Sequence, residues 1–258
     1  MSLSHKINRY LTLIRRFKNW PAFLVFKSGA KKSFHFKMRN GFEIEVTRKM
    51  LPPFKESFFD GIYLKHFPKT KIIQNPTIID IGANVGFFSL AMFSQFPKAK
   101  IVAFEPMPFN FNQLKAYHQL FPGFNWKIEN KAVSDNNDGL TLFTSTIEGF
   151  STMAGVFASD NRAEKIVVPT LTMGQVMEEH RIDKIDLLKL DCEGSEYSIL
   201  YNLDDILLKK IGLLSIESHP GAGVDQNHDS LLNFLRSKSF LTKDQINSDG
   251  TGYIWAWR

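Results

Sequence analysis

A glycine-containing turn at residues 80–86 carries the first group of side chains whose types and spacing can hold a ligand. Its sequence contains Asp80, Gly82, Asn84 and Gly86. Gly82 allows a sharp turn and a close approach of the backbone to a ligand, and Gly86 allows close contact where the next helix begins. The free amides of a helix N-terminus attract an anion such as a carboxylate, and Asp80 can meet an ammonium group. The turn therefore predicts a site for a ligand with an amino-acid end.

Glu105 supplies the second part of this predicted site. It follows the second predicted strand and lies 19 residues after Gly86, a spacing that suits an acceptor for ribose hydroxyls. The glycines are spaced G-x-x-x-G, and the dinucleotide pattern G-x-G-x-x-G is absent because position 84 is Asn. A nicotinamide-dependent oxidoreductase is therefore the disfavoured alternative, and a ligand with an amino acid at one end and a nucleoside at the other is favoured. S-adenosylmethionine is such a ligand.

A second group of charged residues lies at the end of the predicted strand 185–191. Strand alternation places Lys189 and Asp191 on one face, where an ionisable pair is costly unless its members satisfy each other or line a site. Glu217 and His219 share a face at the end of the next strand, and parallel strands present their ends at one edge. His219 is a candidate general base there. Alternatively, Asp191, Glu217 and His219 hold a divalent metal, because spacing does not distinguish the two roles.

These motifs resemble the FkbM-type S-adenosylmethionine-dependent methyltransferases. The resemblance runs from about Phe58 to Gly221. It rests on the segments Asp80–Ser89, Val102–Pro106, Asn130–Asp135, Asp186–Glu196 and Ile216–Pro220. It implies an α/β class I methyltransferase fold, Rossmann-like, with a seven-stranded sheet, and it implies O-methylation of a hydroxyl on a sugar or polyketide-like small molecule.

The resemblance assigns roles to individual residues. The implied cofactor-binding residues are Asp80, Gly82, Asn84, Gly86, Phe87, Glu105, Pro106, Asn130 and Ala132. Of these, Asp80, Gly82, Asn84 and Gly86 are expected at the methionine end of the cofactor. Glu105 is expected at the ribose, and Asn130 and Ala132 at the adenine. His219 is the expected base. Asp191 and Glu217 are expected to orient it or the substrate, and Lys189 to fix the carboxylates. A non-catalytic scaffold on the same fold is the alternative function, and the retention of these residues argues against it.

Alternating strands and helices position both groups. The predicted strands are 77–81, 100–104, 126–134, 166–168, 185–191 and 211–217. The predicted helices are 87–95, 109–120, 172–180, 195–208 and 228–237. Segments 240–246 and 253–257 are predicted to form a closing antiparallel pair. This alternation predicts a mostly parallel sheet covered by helices on both faces. Segment 140–145 is one arm of a hairpin, Thr172 caps a helix, and residues 144–157 form a mobile cover.

The positive charge of the chain is concentrated before residue 50. The net charge is +6, but residues 1–50 carry 12 Lys and Arg against two acids, and the remaining 208 residues carry a net charge of −4. This distribution weakens an interpretation as a nucleic-acid groove, so no nucleic-acid partner is expected. We expect a basic N-terminal region at residues 1–70 and a methyltransferase domain at residues 71–258.

An amphipathic helix is predicted in the basic region, with its apolar stripe at Ile7, Tyr10, Leu11, Ile14 and Phe17. Its apolar side is expected to pack on the body of the protein with the basic side in solvent. The alternative is peripheral attachment to a membrane surface.

The remaining expectations concern compartment and assembly. The single cysteine, Cys192, cannot form an internal disulfide, which favours a reducing, cytoplasmic setting. The longest apolar run, Trp20–Phe26, is too short to cross a bilayer and contains Pro21, and no secretory signal is apparent. The sequence leaves the oligomeric state open, a homodimer included.

Overall fold

The computed structural model of the chain describes residues 3–27, 29, 31–145, 150, 154–156 and 164–258. Within them the α-helices are α1 (Leu3–Arg16), α2 (Trp20–Lys27), α3 (Leu51–Lys55), α4 (Phe87–Gln95), α5 (Pro108–Leu120), α6 (Met173–Glu179), α7 (Glu196–Tyr201), α8 (Asp205–Lys209) and α9 (His228–Ser237). A π-helical turn at Glu56–Asp60 continues α3, and 3-10 turns lie at Arg48–Met50, Ile62–Leu64 and Lys69–Lys71.

The strands are β1 (Ser33–Lys37), β2 (Glu43–Thr47), β3 (Thr77–Ile81), β4 (Lys100–Phe104), β5 (Asn125–Glu129), β6 (Ala132–Ser134), β7 (Leu140–Thr144), β8 (Glu164–Val168), β9 (Thr170–Thr172), β10 (Ile185–Leu190), β11 (Ile211–Ser218), β12 (Leu241–Ile246) and β13 (Gly252–Trp257). Three two-stranded sheets pair β1 with β2, β6 with β9 and β7 with β8 in the described part of the chain.

The central sheet of the described residues has seven strands in the order β12-β13-β11-β10-β3-β4-β5. The five strands from β11 to β5 are parallel, and β13 is antiparallel to both of its neighbours. The predicted mostly parallel sheet and its closing antiparallel pair are therefore confirmed. From β3 the chain continues to β4 and β5 on one side of the sheet, and from β10 it continues to β11 on the other side. The strand order therefore reverses between β3 and β10. An open α/β sheet binds its ligand in the crevice beyond the carboxyl ends of such a pair of strands.

Alternate residues of the strands enter two separate hydrophobic cores. Ile78 of β3 belongs to the core that contains Leu90 and Phe93 of α4, whereas Ile79 and Ile81 belong to the core that contains α6, α7 and α9. This period of two is what a sheet buried on both faces requires.

The N-terminal region packs directly on the first of these cores. The rings of Phe36 and Phe54 lie 4.3 Å apart, and Phe54 contacts Phe87 at the start of α4 at 5.4 Å between ring centroids. The indole N–H of Trp255 on β13 donates to the carbonyl oxygen of Ile62 at 2.8 Å. The division of the chain at residue 70 stays a prediction.

The predicted strand 126–134 is wrong as a single element, because the structure divides it into β5 and β6. The side-chain amide of Asn130 donates to the carbonyl oxygens of Glu105 at 2.8 Å and Pro106 at 3.0 Å. The Ala132 N–H then bonds the carbonyl oxygen of Pro169. These bonds turn the chain, so β6 pairs with β9 instead of continuing beside β4.

The predicted helix 195–208 is also two elements. Asp204 accepts a hydrogen bond from the Ile206 N–H at 2.6 Å and so starts α8 as a new helix. The hairpin predicted at 140–145 is confirmed by the antiparallel pairing of β7 with β8, and the Thr172 cap by a full capping box with Gln175. The predicted cover at 144–157 includes residues 146–149, 151–153 and 157, which lie outside the described residues.

The predicted amphipathic helix forms as α1. The prediction that its whole apolar stripe packs on the protein is wrong, because much of the stripe faces solvent. Leu13 and Phe17 are buried, whereas Ile7, Leu11 and Ile14 of the predicted stripe are exposed. In the described part of the chain, no helix combines the length and the apolar character needed to cross a membrane.

Candidate functional site

A cavity of about 320 Å³ lies beyond the C-terminal ends of β3, β4, β10 and β11. Both groups of residues singled out in the sequence reach it. The predicted residues that line it are Gly82, Asn84, Phe87, Glu105, Pro106, Ala132, Lys189, Asp191, Glu217 and His219. The other three, Asp80, Gly86 and Asn130, are not among the described residues that line it.

The turn after β3 has the conformation its glycines permit. Gly82 has φ of +75°, and a Cβ there would lie 1.7 Å from the carbonyl oxygen of Asp191. Gly86 has φ of +89°, and a Cβ there would lie 2.5 Å from a methyl carbon of Leu114. Gly82 is therefore required by the approach of the chain after β10, and Gly86 by the packing of α5. Asn84, between them, is also left-handed at φ of +51°.

Asn84, which lines the cavity, has an unused hydrogen-bond acceptor. Its side-chain oxygen Oδ1 is buried and has no hydrogen-bond partner among the described residues. A buried acceptor without a donor costs free energy unless a ligand satisfies it, so this atom is suited to a ligand that carries N–H groups. The backbone N–H of Asn84 already donates to Glu105 Oε2 at 2.7 Å.

Glu105 is held rigidly beside the turn. Its Oε1 accepts from the Met107 N–H at 2.9 Å and its Oε2 from Asn84, while 5% of the residue is exposed. Burial raises the pKa of Glu105 to about 7, and the two backbone hydrogen bonds oppose that rise. Asn130 fixes the backbone at Glu105 and Pro106 from behind. This side of the cavity thus has the oriented carboxylate that a diol such as ribose requires.

Lys189 links the two strands at the floor of the cavity. The residue is 2% exposed, and its ammonium Nζ lies 3.2 Å from Asp80 Oδ1 and 3.4 Å from Asp191 Oδ2. It also donates to the carbonyl oxygen of Gly82 at 2.7 Å. Asp80 is fully buried and bonds the Ser89 hydroxyl at 2.8 Å, so it stabilises the turn through Lys189 and α4. These carboxylates raise the pKa of Lys189 above its usual value against the effect of burial.

Carboxylates converge on the opposite side of the cavity. Asp191 Oδ2 accepts from the Tyr63 hydroxyl at 2.9 Å. Glu56 and Glu217 also line this side. Burial and the negative charge of Asp191 raise the pKa of Glu217 to about 8, and the Tyr253 hydroxyl that bonds it acts in the opposite direction. Burial raises the pKa of Glu56 to about 7, assisted by Asp191.

His219 is surrounded by acids. Its Nδ1 lies 2.9 Å from Glu196 Oε1 and its Nε2 lies 3.7 Å from Glu193 Oε1. Burial lowers its pKa, but Glu196, Glu193 and Asp191 together raise it to about 10. The imidazole is thus protonated at neutral pH and donates a hydrogen bond from Nδ1 to Glu196. A general base needs the neutral form.

Sequence reasoning missed the contributions of residues 52–63. Pro52, Glu56 and Tyr63 all reach the cavity, although they precede the first predicted strand. The role of Glu196 was missed as well. It is fully buried, accepts from the N–H groups of Cys192 and Gly194, and bonds His219. Nothing in the local sequence signals either role.

Asp191, Glu217 and His219 do not form the alternative metal site. Across the residues that the structure describes, no three His, Cys, Asp or Glu side chains are arranged to hold a metal ion.

Comparison with known proteins identifies related sequences. The sequence profile of the family described as Methyltransferase FkbM domain matches residues 80–242. Methyltransferase sdnD of Sordaria araneosa is 29% identical over 223 residues, which cover 74% of this chain and 83% of the relative. The 31-O-demethyl-FK506 methyltransferase FkbM of Streptomyces tacrolimicus is 26% identical over 215 residues, which cover 72% of this chain and 80% of that protein.

A solved structure shows the same fold. The crystal structure of Methyltransferase FkbM from Methylobacillus flagellatus KT superposes with a TM-score of 0.52 at 12% identity. The alignment covers 74% of this chain and 46% of that one, so this chain spans less than half of the solved protein. The predicted class I methyltransferase fold is confirmed by this likeness and by the order of the strands.

Proposed function

This chain belongs to the FkbM methyltransferase family, and we propose that it transfers a methyl group from S-adenosylmethionine to a hydroxyl oxygen of a sugar or polyketide-like small molecule. The observation that carries the proposal is a single cavity with two chemically different sides. One side holds the unpartnered Asn84 oxygen and the fixed Glu105 carboxylate, and the other holds a cluster of carboxylates. The relative from Streptomyces tacrolimicus is named for 31-O-demethyl-FK506, which supports oxygen as the acceptor atom.

The residues on the turn side suit S-adenosylmethionine, which supplies a methyl group activated on a sulfonium. Asn84 Oδ1 would accept from the amino group of the methionine end. Glu105, already held by two backbone N–H groups, would accept from the ribose hydroxyls with its remaining lone pairs. Pro106 and Ala132 line the cavity near Glu105 and would contact the adenine, with Asn130 positioning that segment from behind.

The acidic side would bind the acceptor and remove its proton. Glu217 has a pKa of about 8, so about a tenth of it is ionised at pH 7 and more at higher pH, and the ionised form can take a proton from a bound hydroxyl. The role of His219 as the base stays a prediction, but its protonated state favours another role. As an imidazolium bonded to Glu196, it would orient the neighbouring carboxylates. Positioning of the hydroxyl on the methyl carbon would account for much of the rate enhancement.

Calorimetric titration with S-adenosylhomocysteine tests the cofactor half of this proposal. We expect micromolar binding by the wild type and at least about tenfold weaker binding by Glu105→Ala, a loss of roughly 1.4 kcal/mol. Glu178→Ala on the exposed face of α6 is the matched control and should bind as the wild type does. Binding of NADH alone would favour the oxidoreductase, and the absence of binding by both nucleosides would favour the scaffold.

A screen of sugars and other hydroxyl-bearing metabolites with a labelled methyl donor tests the acceptor half. The expected result is a new methoxy group on an oxygen, located by its carbon chemical shift. Transfer to a nitrogen or carbon atom in preference to oxygen would overturn the assignment of the acceptor atom.

A further inference from the structure

Helix α1 has an apolar stripe that is wider than the surface the protein provides to cover it. Its inner half, at Leu13, is 1% exposed. Its outer half consists of Ile7, Tyr10, Leu11 and Ile14, which follow the i, i+3, i+4, i+7 spacing of one helical face and are 51%, 41%, 42% and 38% exposed. The helix therefore presents a continuous apolar row to solvent.

Helix α2 adds to this row. Leu24 is 42% exposed and Val25 is 60% exposed, and the two helices touch where the Lys27 ammonium meets the Tyr10 hydroxyl at 3.0 Å. Six of the thirteen large apolar side chains that are exposed in the described residues lie on α1 and α2. Such a concentration marks an interaction site. We call these six residues, Ile7, Tyr10, Leu11, Ile14, Leu24 and Val25, the α1–α2 face.

Positive charge surrounds the α1–α2 face. Arg15, Lys18 and Lys27 are exposed at its edges, within the 50-residue segment that carries 12 Lys and Arg against two acids. A basic amphipathic surface of this kind is typical of helices that lie in the interface of an anionic membrane.

A second cavity, of about 310 Å³, opens between the two helices and the π-helical turn. Its cationic lining residues are Arg9, Lys27 and Lys55, and its apolar ones include Leu13 and Phe59. Arg9 is paired with Asp60 through its Nε at 2.6 Å. Burial lowers the pKa of Lys55, and repulsion by Lys27 and Arg9 lowers it further, while Asp60 acts in the opposite direction. An anionic group in this cavity would relieve the repulsion.

Three kinds of partner can be weighed against these features. A second copy of the chain would bring two strongly basic N-terminal segments together, which repel each other. A nucleic acid would satisfy the cations but would leave the apolar row in water. An anionic lipid surface satisfies both, because its acyl region accepts the apolar row and its phosphates meet the lysines.

We propose that the α1–α2 face binds the surface of anionic lipid bilayers, with the apolar row at the boundary of the headgroups and acyl chains and a lipid phosphate in the cavity beside Lys27 and Lys55. This surface is separate from the methyl-transfer cavity, so the proposal does not depend on the proposed function.

Cosedimentation of the full chain with lipid vesicles tests the proposal. Vesicles of equal parts phosphatidylcholine and phosphatidylglycerol should bind the protein, vesicles of phosphatidylcholine alone should bind it far less, and added salt should weaken the binding. The double variant Leu11→Ser/Ile14→Ser should bind at least about tenfold more weakly, because two partly inserted aliphatic side chains are lost. Leu120→Ser/Ile206→Ser, at sites 66% and 68% exposed elsewhere, is the matched control.

A charge-reversal pair tests the cations. Lys18→Glu/Lys27→Glu should weaken vesicle binding by about tenfold or more, since each lysine near an anionic surface contributes to the attraction and each glutamate opposes it. Lys184→Glu/Lys209→Glu changes the net charge equally on another surface and should have a small effect. Circular dichroism of every variant establishes that it is folded.

Several outcomes would overturn the proposal. One is equal binding of both vesicle types by the wild type, and another is unchanged binding by Leu11→Ser/Ile14→Ser. The protein could also bind RNA or heparin as tightly as vesicles, with an affinity that Leu11→Ser/Ile14→Ser leaves unchanged. That result would identify a surface for polyanions instead. A dimer that the apolar variant dissociates, seen by light scattering without lipid, would identify a second copy as the occupant.

Discussion

Replacing Lys189 by methionine removes the cation on which the floor of the cavity depends. The ammonium lies 3.2 Å from Asp80 and 3.4 Å from Asp191. Lys189 is 2% exposed and Asp80 is fully buried, so water cannot replace the lost charge at Asp80. Methionine keeps much of the packing against the rings of Tyr63 and Phe88, which makes the change mainly electrostatic.

Breaking a buried ion pair from one side costs about 3–5 kcal/mol, because it leaves a buried charge uncompensated. A second Lys–Asp pair of similar length provides the matched control. Lys184 lies 3.0 Å from Asp186, but its side chain is 68% exposed, and exposed pairs contribute about 0–1 kcal/mol. The expected difference between Lys189→Met and Lys184→Met is therefore at least about 2 kcal/mol.

Urea unfolding followed by circular dichroism measures these free energies. The pKa of Lys189 is raised above its usual 10.5, so its stabilising contribution is complete below that pH and is lost only as the pH rises through the higher folded-state value. Up to about pH 9 the ammonium itself therefore adds no pH dependence. The cost of Lys189→Met should nevertheless rise above neutral pH as Glu56 and Glu105 ionise, because Lys189 lowers the pKa of both. Adding Asp80→Asn should recover part of it, with a coupling of roughly 0.5–3 kcal/mol. A cost equal to that of Lys184→Met, or no coupling with Asp80→Asn, would refute the reasoning.

Three further changes test the turn, a cap and the acidic side. Gly82→Ala places a Cβ against the carbonyl oxygen of Asp191 at φ of +75°. We therefore expect the free energy of unfolding in urea to fall by about 2 kcal/mol or more and S-adenosylhomocysteine binding to weaken. Wild-type values of both would contradict this. Thr172→Ala removes the capping box with Gln175 and should lower the free energy of unfolding by about 1 kcal/mol while leaving S-adenosylhomocysteine affinity unchanged. A change in affinity would show that α6 is coupled to the site. The rate of methyl transfer should rise with pH through about 8 as Glu217 ionises. Glu217→Gln should remove this rising part of the pH–rate profile. A variant whose rate still rises in the same way would exclude Glu217 as the base.

The sequence predicts the geometry of the turn side of the cavity well because its parts are close along the chain. Asn84 and Glu105 belong to one β-α-β unit, in which the glycine turn and the end of the next strand meet by geometry. Their contact, the 2.7 Å bond from the Asn84 N–H to Glu105, follows from that spacing. The parallel sheet is predictable for the same reason, since each strand and helix carries its own hydrophobic period.

The acidic side is not predictable in this way because its contacts join distant parts of the chain. Tyr63 bonds Asp191 across 128 residues, and Glu56 lies in a π-helical turn that no local pattern indicates. The protonation of His219 likewise depends on Glu196, whose reach across the strand ends is set by tertiary packing. The amphipathic period of α1 was correct, but the period alone does not say how much of an apolar stripe the rest of the protein covers.

The boundaries of the family match divide the acidic side of the cavity. Asn84 and Glu105 fall within residues 80–242, and so do Asp191 and Glu217 of the acidic side. Glu56 and Tyr63 precede that span. Tyr253, which bonds Glu217, follows it. Under the proposed function, the residues that would hold the cofactor therefore lie within the match, and part of the acceptor's surroundings comes from segments outside it.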